Sequence, residues 1–262
     1  MRYFIVKTDH HIVEPNHPLS KVDTAARAKA VVARILEERV PIDFIVDTGD
    51  VCDSISTPVR EEAEATSQSY EHALSILGPI NEKSLYIAGN HDCPALMYEI
   101  LGDRWDSNKN GVMVKQSSGV TLVGVDLRIG TSAIGMLQPE SAQELRAELA
   151  RAKKVILFSH YLWRPTDCDF VEREIRVSNG AEMADILRGY KEKILGAFHG
   201  HLHVWWSGSH AGIPLYGGAG SAFGFDLEPG SVPFAIDPTR PLGYYLVGLD
   251  DDGSLLVRPR FI

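Results

Sequence analysis

The chain has 262 residues, of which 44% are hydrophobic and 23% charged, and its formal charge is −9 at pH 7. Such a composition can bury a large core, so one domain over residues 1–262 is expected, and the acidic balance argues against a nucleic-acid partner. No run approaches the roughly eighteen apolar residues of a membrane span, and the apolar part of MRYFIVKTDHH is too short for a signal peptide. A cytoplasmic protein with no membrane contact is therefore expected. Cys52, Cys93 and Cys168 are odd in number and form no C-x-x-C pair, which argues against a disulfide framework and a thiolate metal site.

In chain order, the short apolar runs at 3–6, 44–46, 84–88, 120–126, 154–159 and 194–198 read as strands buried on both faces. Between them lie helical patterns. Residues 21–39 set Ala25, Ala28, Val32, Ile35 and Leu36 on one stripe, with Ser20 as candidate N-cap and Pro41 beyond the end. Val59, Ala63, Tyr70, Leu74 and Leu77 form the next stripe, opened by Pro58 and closed by Gly78; a third runs from Pro139 to about Ala150, with Ala142, Leu145 and Leu149 inward. After residue 200 the runs HVWWSGSH, IPLYGG, GYYLVGLD and SLLVRPRFI read as antiparallel strands, with DDDG as a tight turn between the last two. The sum is an α/β fold of four layers, α-β-β-α, with two mixed sheets face to face and helices outside. Stretches 161–180 and 209–240 read as long substrate-facing loops.

Polar residues able to hold metal fall at the strand ends: Asp9 and His11, Asp50, Asn90 and His91, His160, then His201 and His203. Strand ends of an α/β sheet converge on one crevice, so separate segments can deliver these side chains to one point. Gly49 and Gly89 would let the chain turn sharply as it leaves a strand. Carboxylates and imidazoles suit manganese, iron or zinc. Seven donors exceed the needs of one tetrahedral ion, whereas one bridging carboxylate divides them between two.

DHH at 9–11, GD at 49–50, GNHD at 89–92, His160 and GHLH at 200–203 occur in order, and in these blocks the chain resembles the calcineurin-like metallophosphoesterase superfamily. The resemblance implies that Asp9, His11 and His203 hold one metal, that Asn90, His160 and His201 hold the second, and that Asp50 bridges them. It further implies that a hydroxide shared by the ions attacks phosphorus in line. His91 would lie beside the substrate and serve the leaving oxygen. Asp53 or Asp92 would orient it. Size and the D-x-H start are similar to the small bacterial branch of class III cyclic-nucleotide phosphodiesterases and glycerophosphodiesterases. A small-molecule phosphodiester is the expected substrate, with a monoesterase or a nuclease of the same fold as alternatives. A metal-free scaffold is the non-enzyme alternative, and a homodimer is expected by resemblance only.

For the substrate, Arg164 is a candidate phosphate contact because a guanidinium fork matches phosphate oxygens. Tyr161, Trp163 and Phe170 are candidates for stacking, Phe223 and Phe225 for a second wall, and His10 for a place at the edge of the site. His17, His72 and His210 are expected at the surface, His199 in the core, and Cys52 and Cys93 in packing roles.

Overall fold

The computed structural model describes residues 1–14, 22–53, 62–117, 119–227 and 236–262. The chain begins β1 (Arg2–Lys7), α1 (Thr24–Leu36), β2 (Ile42–Asp47), α2 (Glu62–Asn81) and β3 (Ser84–Tyr86), the βαβαβ order expected. It continues through α3 (Pro94–Leu101), β4 (Ser107–Lys109), β5 (Val112–Ser117), β6 (Val120–Val125), α4 (Pro139–Arg151), β7 (Val155–Ser159), α5 (Gly180–Arg188) and β8 (Ile194–His199). The last third holds β9 (Trp206–His210), β10 (Ile213–Gly217), β11 (Gly224–Phe225), β12 (Ile236–Asp237), β13 (Gly243–Leu249) and β14 (Leu255–Phe261).

Two mixed sheets result. One has the order β14-β13-β1-β2-β3 and the other β4-β5-β6-β7-β8-β10-β9, with β11 and β12 as a small separate ribbon. Alternation along each strand explains the layers. Phe4 and Val6 of β1, Phe44 and Val46 of β2, and Ile156 and Phe158 of β7 meet between the sheets. Ile5 and Ile45 face outward against Ala28 and Val31 of α1 and Leu77 of α2. Val155 and Leu157 face the opposite way, against Leu145 of α4 and Ile186 of α5. Strands covered on both sides read as continuous apolar runs for this reason, and the four-layer α-β-β-α arrangement is the one the sequence implies.

Details differ from the expectations. The N-cap of α1 is Asp23, whose carboxylate accepts from the Ala26 N–H at 2.8 Å, so the helix starts later than a Ser20 cap requires; Ser20 lies outside the described residues. Val31 is buried in the stripe and Leu36 is 58% exposed, because Leu36 lies about a quarter turn off the face set by Ala28, Val31, Val32 and Ile35. Pro58 and Val59 also lie outside the described residues. Gly78 does not close α2, which runs on through Pro79 to Asn81. β10 is antiparallel to β9 but parallel to β8, so this part of the last third is mixed instead of antiparallel throughout. Residues 161–180 are no open loop: Tyr161, Trp163, Cys168, Val171 and Ile175 are buried, and 171–175 form a single π-helical turn. Trp205 and Trp206 straddle two faces, Trp205 packing between the sheets and Trp206 on the side of α4 and α5, each half-buried.

Candidate metal centre

The site is built at the C-terminal ends of β1, β2, β3, β7 and β8, where the parallel strands deliver their following residues to one edge of both sheets. Asp9, His11, Asp50 and His203 offer donor atoms within 4.8 Å of one another, and Asp50, His160 and His201 form a second such group. Asn90 joins the second, its Oδ1 lying 3.2 Å from His160 Nε2. Seven residues from five segments thus come together, and Asp50 belongs to both groups. All seven are buried.

Backbone conformation shows what this convergence requires. Among the described residues the non-glycine positions with left-handed φ are Asp9, His11, Asp50, Asn110, His201, His203 and Ala211. Five of these seven are in the donor set. Such conformations cost free energy and persist where surrounding structure imposes them, as at functional sites. Gly49, at φ 111°, makes the sharp turn expected of it. Gly89 has a different reason to be glycine: it lacks a left-handed φ, and a Cβ there would lie 2.1 Å from Asp50 Oδ1.

The imidazoles are oriented by groups that can only accept. His160 Nδ1 donates to the Thr48 carbonyl at 2.9 Å and His203 Nδ1 to the Phe223 carbonyl at 2.8 Å. His201 is turned the other way, with Nε2 donating toward the carbonyls of Ala133 and Ile175 at 3.0 and 3.2 Å. In a neutral ring this leaves the bare nitrogen of each facing the centre, the usual arrangement behind a metal-binding histidine. The facing atoms are close: His11 Nε2 to His203 Nε2 is 3.1 Å, His201 Nδ1 to His160 Nε2 3.1 Å, His203 Nε2 to Asp9 Oδ1 3.3 Å and His160 Nε2 to Asp50 Oδ2 3.3 Å. Bonds of about 2.1 Å at angles between octahedral and tetrahedral values place neighbouring donors about 3.0–3.4 Å apart. The donor set therefore fits divalent ions held by nitrogen and oxygen.

The carboxylates and imidazoles of the centre perturb one another strongly. Burial opposes ionisation of Asp50, but the flanking His160 and His91 outweigh it and hold the carboxyl well below the usual range. Asp9 is held low in the same way, burial being overcome by His203. Burial and the neighbouring His160 push His201 down to about 3, whereas His160 itself, despite burial, is drawn up to about 9 by Asp50.

His91 stands at the rim, its side chain 27% exposed. Asp53 Oδ1 lies 3.1 Å from its Nδ1, and Asp53 Oδ2 lies 3.4 Å from His11 Nδ1, so this carboxylate spans the rim histidine and a member of the donor set. Asp92 does something else: its oxygens accept from the N–H groups of Val51, Cys52 and Gly89 and from the Tyr70 hydroxyl. It clamps the loop after β2 to the loop after β3, and Asp53 is the carboxylate on His91.

Two substrate candidates, His10 and Tyr161, require correction. His10 is fully buried and bonded to Lys7 and Ser221, while Asp9 and His11 on either side of it take left-handed backbone conformations. Tyr161 is buried, with its hydroxyl on the Ser132 carbonyl at 2.8 Å and its ring 4.6 Å from that of His201; it backs the centre and does not face a ligand. Arg164 donates to the Pro165 carbonyl at 2.8 Å and lies over the Trp206 ring at 5.6 Å, along a cavity of about 210 Å³ shared with Leu202 and Leu227. Trp163 is buried too. Phe223 and Phe225 do wall the centre, their rings 4.7 and 4.4 Å from His203. His199 is a core residue, as expected, its Nδ1 on the Gly200 carbonyl at 2.9 Å. His72 is tied to the Val13 carbonyl at 2.8 Å, and His17 lies outside the described residues. Sequence reasoning passed over the carbonyls of Thr48 and Phe223, which no side-chain pattern reveals. It also passed over Lys7 and Asp47, whose signal was a charge at the end of a buried apolar run.

Comparison with known proteins agrees with this geometry. The calcineurin-like phosphoesterase family model matches residues 3–205, and the chain belongs to that family. It is 29% identical over 245 residues, 90% of this chain and 85% of the relative, to a protein of Rhodopseudomonas palustris named as a probable cyclic nucleotide phosphodiesterase. It is 24% identical over 254 residues, 95% of this chain and 85% of the relative, to the 3',5'-cyclic adenosine monophosphate phosphodiesterase CpdA of Escherichia coli. Among solved structures, a dimetal phosphatase from Danio rerio superposes with a TM-score of 0.72 at 16% identity, covering 99% of this chain and 96% of that one, a likeness of fold. The chain is a metal-dependent phosphoric ester hydrolase. No helix among the described residues is long and apolar enough to cross a membrane.

Proposed function

We propose that the protein is a dinuclear metal-dependent phosphodiesterase acting on a small-molecule phosphodiester of the cyclic-nucleotide or glycerophosphodiester type. The observation that carries the two-metal reading is the membership of Asp50 in both donor groups. One ion is assigned to Asp9, His11 and His203, the other to Asn90, His160 and His201, with Asp50 between them. The donor chemistry suits manganese, iron or zinc. Bound there, divalent ions supply Lewis-acid activation of water and neutralise charge on the phosphate.

The protein's own groups do the rest. Asp9 and Asp50 stay ionised and keep the donor array anionic. Asp53 holds the Nδ1–H of His91 at 3.1 Å, which fixes the ring and leaves Nε2 to deliver a proton to the leaving oxygen. Burial works against the charged form of His91, but Asp50 and Asp53 overcome it and raise the group to about 9; with Asp50 engaged by the ions, the bond to Asp53 is what favours a proton on Nε2. Phe223 and Phe225, packed on the His11 and His203 rings, exclude water from that side. The names of the curated relatives support a diester over a monoester.

A panel of aryl monoester, aryl diester, cyclic nucleotides and glycerophosphodiesters, each assayed with manganese and with zinc, tests the reading. Diester turnover exceeding monoester turnover by tenfold or more is expected. A preference for the monoester, or two bound ions with no diester hydrolysis, overturns it.

A further inference from the structure

Lys7 and Asp47 end β1 and β2 and stand opposite each other in the parallel register. Strands covered on both faces normally carry apolar residues there. Here both side chains are charged and both are 0% exposed. The Lys7 ammonium donates to Asp47 Oδ2 and lies 2.9 Å from His10 Nε2, with the Tyr86 ring 5.5 Å away. His10 Nε2 faces both the ammonium and Asp47 Oδ2, the latter at 3.1 Å, and its Nδ1 bonds Ser221 Oγ. Asp47 Oδ1 accepts from the Gly49 N–H at 3.2 Å.

Lys7, His10 and Asp47 lie within a few residues of a donor, and Ser221 reaches one through its backbone. Lys7 precedes Asp9 by two residues, and Asp47 precedes both the Thr48 carbonyl that orients His160 and Asp50 itself. The N–H groups of Ser221 and Ala222 both donate to the Asp9 carbonyl, at 3.2 and 3.1 Å. Phe223, next along, supplies the carbonyl that orients His203. The cluster therefore links the loops that carry Asp9, Asp50 and the support of His203. A stabilising role alone is a poor account of it, since a buried ion pair is seldom more stabilising than apolar side chains of the same volume.

We infer that Lys7, Asp47, His10 and Ser221 are positioning residues, a buried polar tether that sets the spacing between the Asp9 loop and the Asp50 loop and hence between the two metal sites. This rests on the metal reading above, and the experiment separates the two.

Breaking the pair from one side would strand a buried charge, so the informative variant is Lys7→Met with Asp47→Asn, which removes both charges and keeps an oxygen for Gly49. Ser221→Ala, which leaves the ion pair intact, is the second variant. Mn(II) affinity and stoichiometry are measured by titration followed by electron paramagnetic resonance, alongside Tm. The wild type should bind two Mn(II) per chain. The double variant should stay folded and bind Mn(II) about 10–100-fold more weakly, the usual cost of losing support behind metal ligands, and Ser221→Ala should lose several-fold. Folded variants that bind Mn(II) within twofold of the wild type, whatever their Tm, overturn the tether; should the double variant fail to fold, Ser221→Ala decides by the same criterion. A wild-type chain that binds no Mn(II) overturns the metal reading, and the tether with it.

Discussion

The Nε2 atoms of His11 and His203 approach to 3.1 Å although 192 residues separate them in sequence. His203 Nδ1 spends its proton on the Phe223 carbonyl, so its Nε2 brings a lone pair to this contact, and a divalent ion between the rings would convert the crowding into bonds. Metal should therefore stabilise the fold by mass action. Manganese or zinc at about a hundred times its Kd adds about 2.7 kcal/mol, read as a rise in Tm that a chelator reverses. Asp50→Ala, which removes the residue common to both groups, should abolish that rise; an unchanged rise would show that Asp50 is no bridge.

His91 is half-buried at the rim and bonded to Asp53. His91→Ala should lower kcat toward an aryl phosphodiester by about 10²–10⁴-fold, the usual worth of a positioned proton donor, with both ions retained. Because His11, Asp53 and His91 also approach one another closely enough to hold an ion, metal content must be measured on the same sample. Loss of an ion from the variant would make His91 a ligand and overturn its role as the acid.

The layers and the donor set were legible for one reason: buried parallel strands announce themselves as apolar runs, and metal donors at their ends interrupt those runs abruptly. Where orientation mattered, legibility failed. His10 sits between two donors in sequence, yet it is buried on Lys7 and Ser221 while Asp9 and His11, both in left-handed conformations, supply the centre. Tyr161 follows His160 and is buried, its ring packed against those of His160 and His201. Asp92 looked equivalent to Asp53, and only the fold reveals that backbone N–H groups claim its oxygens. The helix α3 and the strand β5 went unread because PALMYEIL is too short to show a clear stripe and VMVKQS is apolar only in its first half.

Gly89→Ala tests close approach without any change of backbone region. The added methyl would fall 2.1 Å from Asp50 Oδ1 and 2.6 Å from the Asp50 N–H nitrogen, so the loop carrying Asp50 must shift. Helix and strand content by circular dichroism should survive, while bound metal and diester turnover should fall by tenfold or more. A variant that keeps full metal content would show that the two loops tolerate more distance than the donor geometry implies.

Glu38 offers a pH test away from the metal centre. Its carboxylate accepts from Arg260 Nε and the Tyr244 hydroxyl, each at 2.8 Å, joining the end of α1 to β13 and β14. Burial opposes its charge, but the bonds to Arg260 and Tyr244 outweigh that and hold the carboxyl below its ordinary value. A group depressed on folding contributes stability above its unfolded pKa and loses it as pH falls through the folded one. Glu38→Gln should therefore cost about 1 kcal/mol at pH 7. In urea titrations the difference between wild type and variant should narrow steadily as pH drops below about 4.3, the ordinary glutamate value. A gap that stays constant down to the acid limit would mean that the carboxylate charge contributes nothing there and that shape alone joins the helix to the sheet.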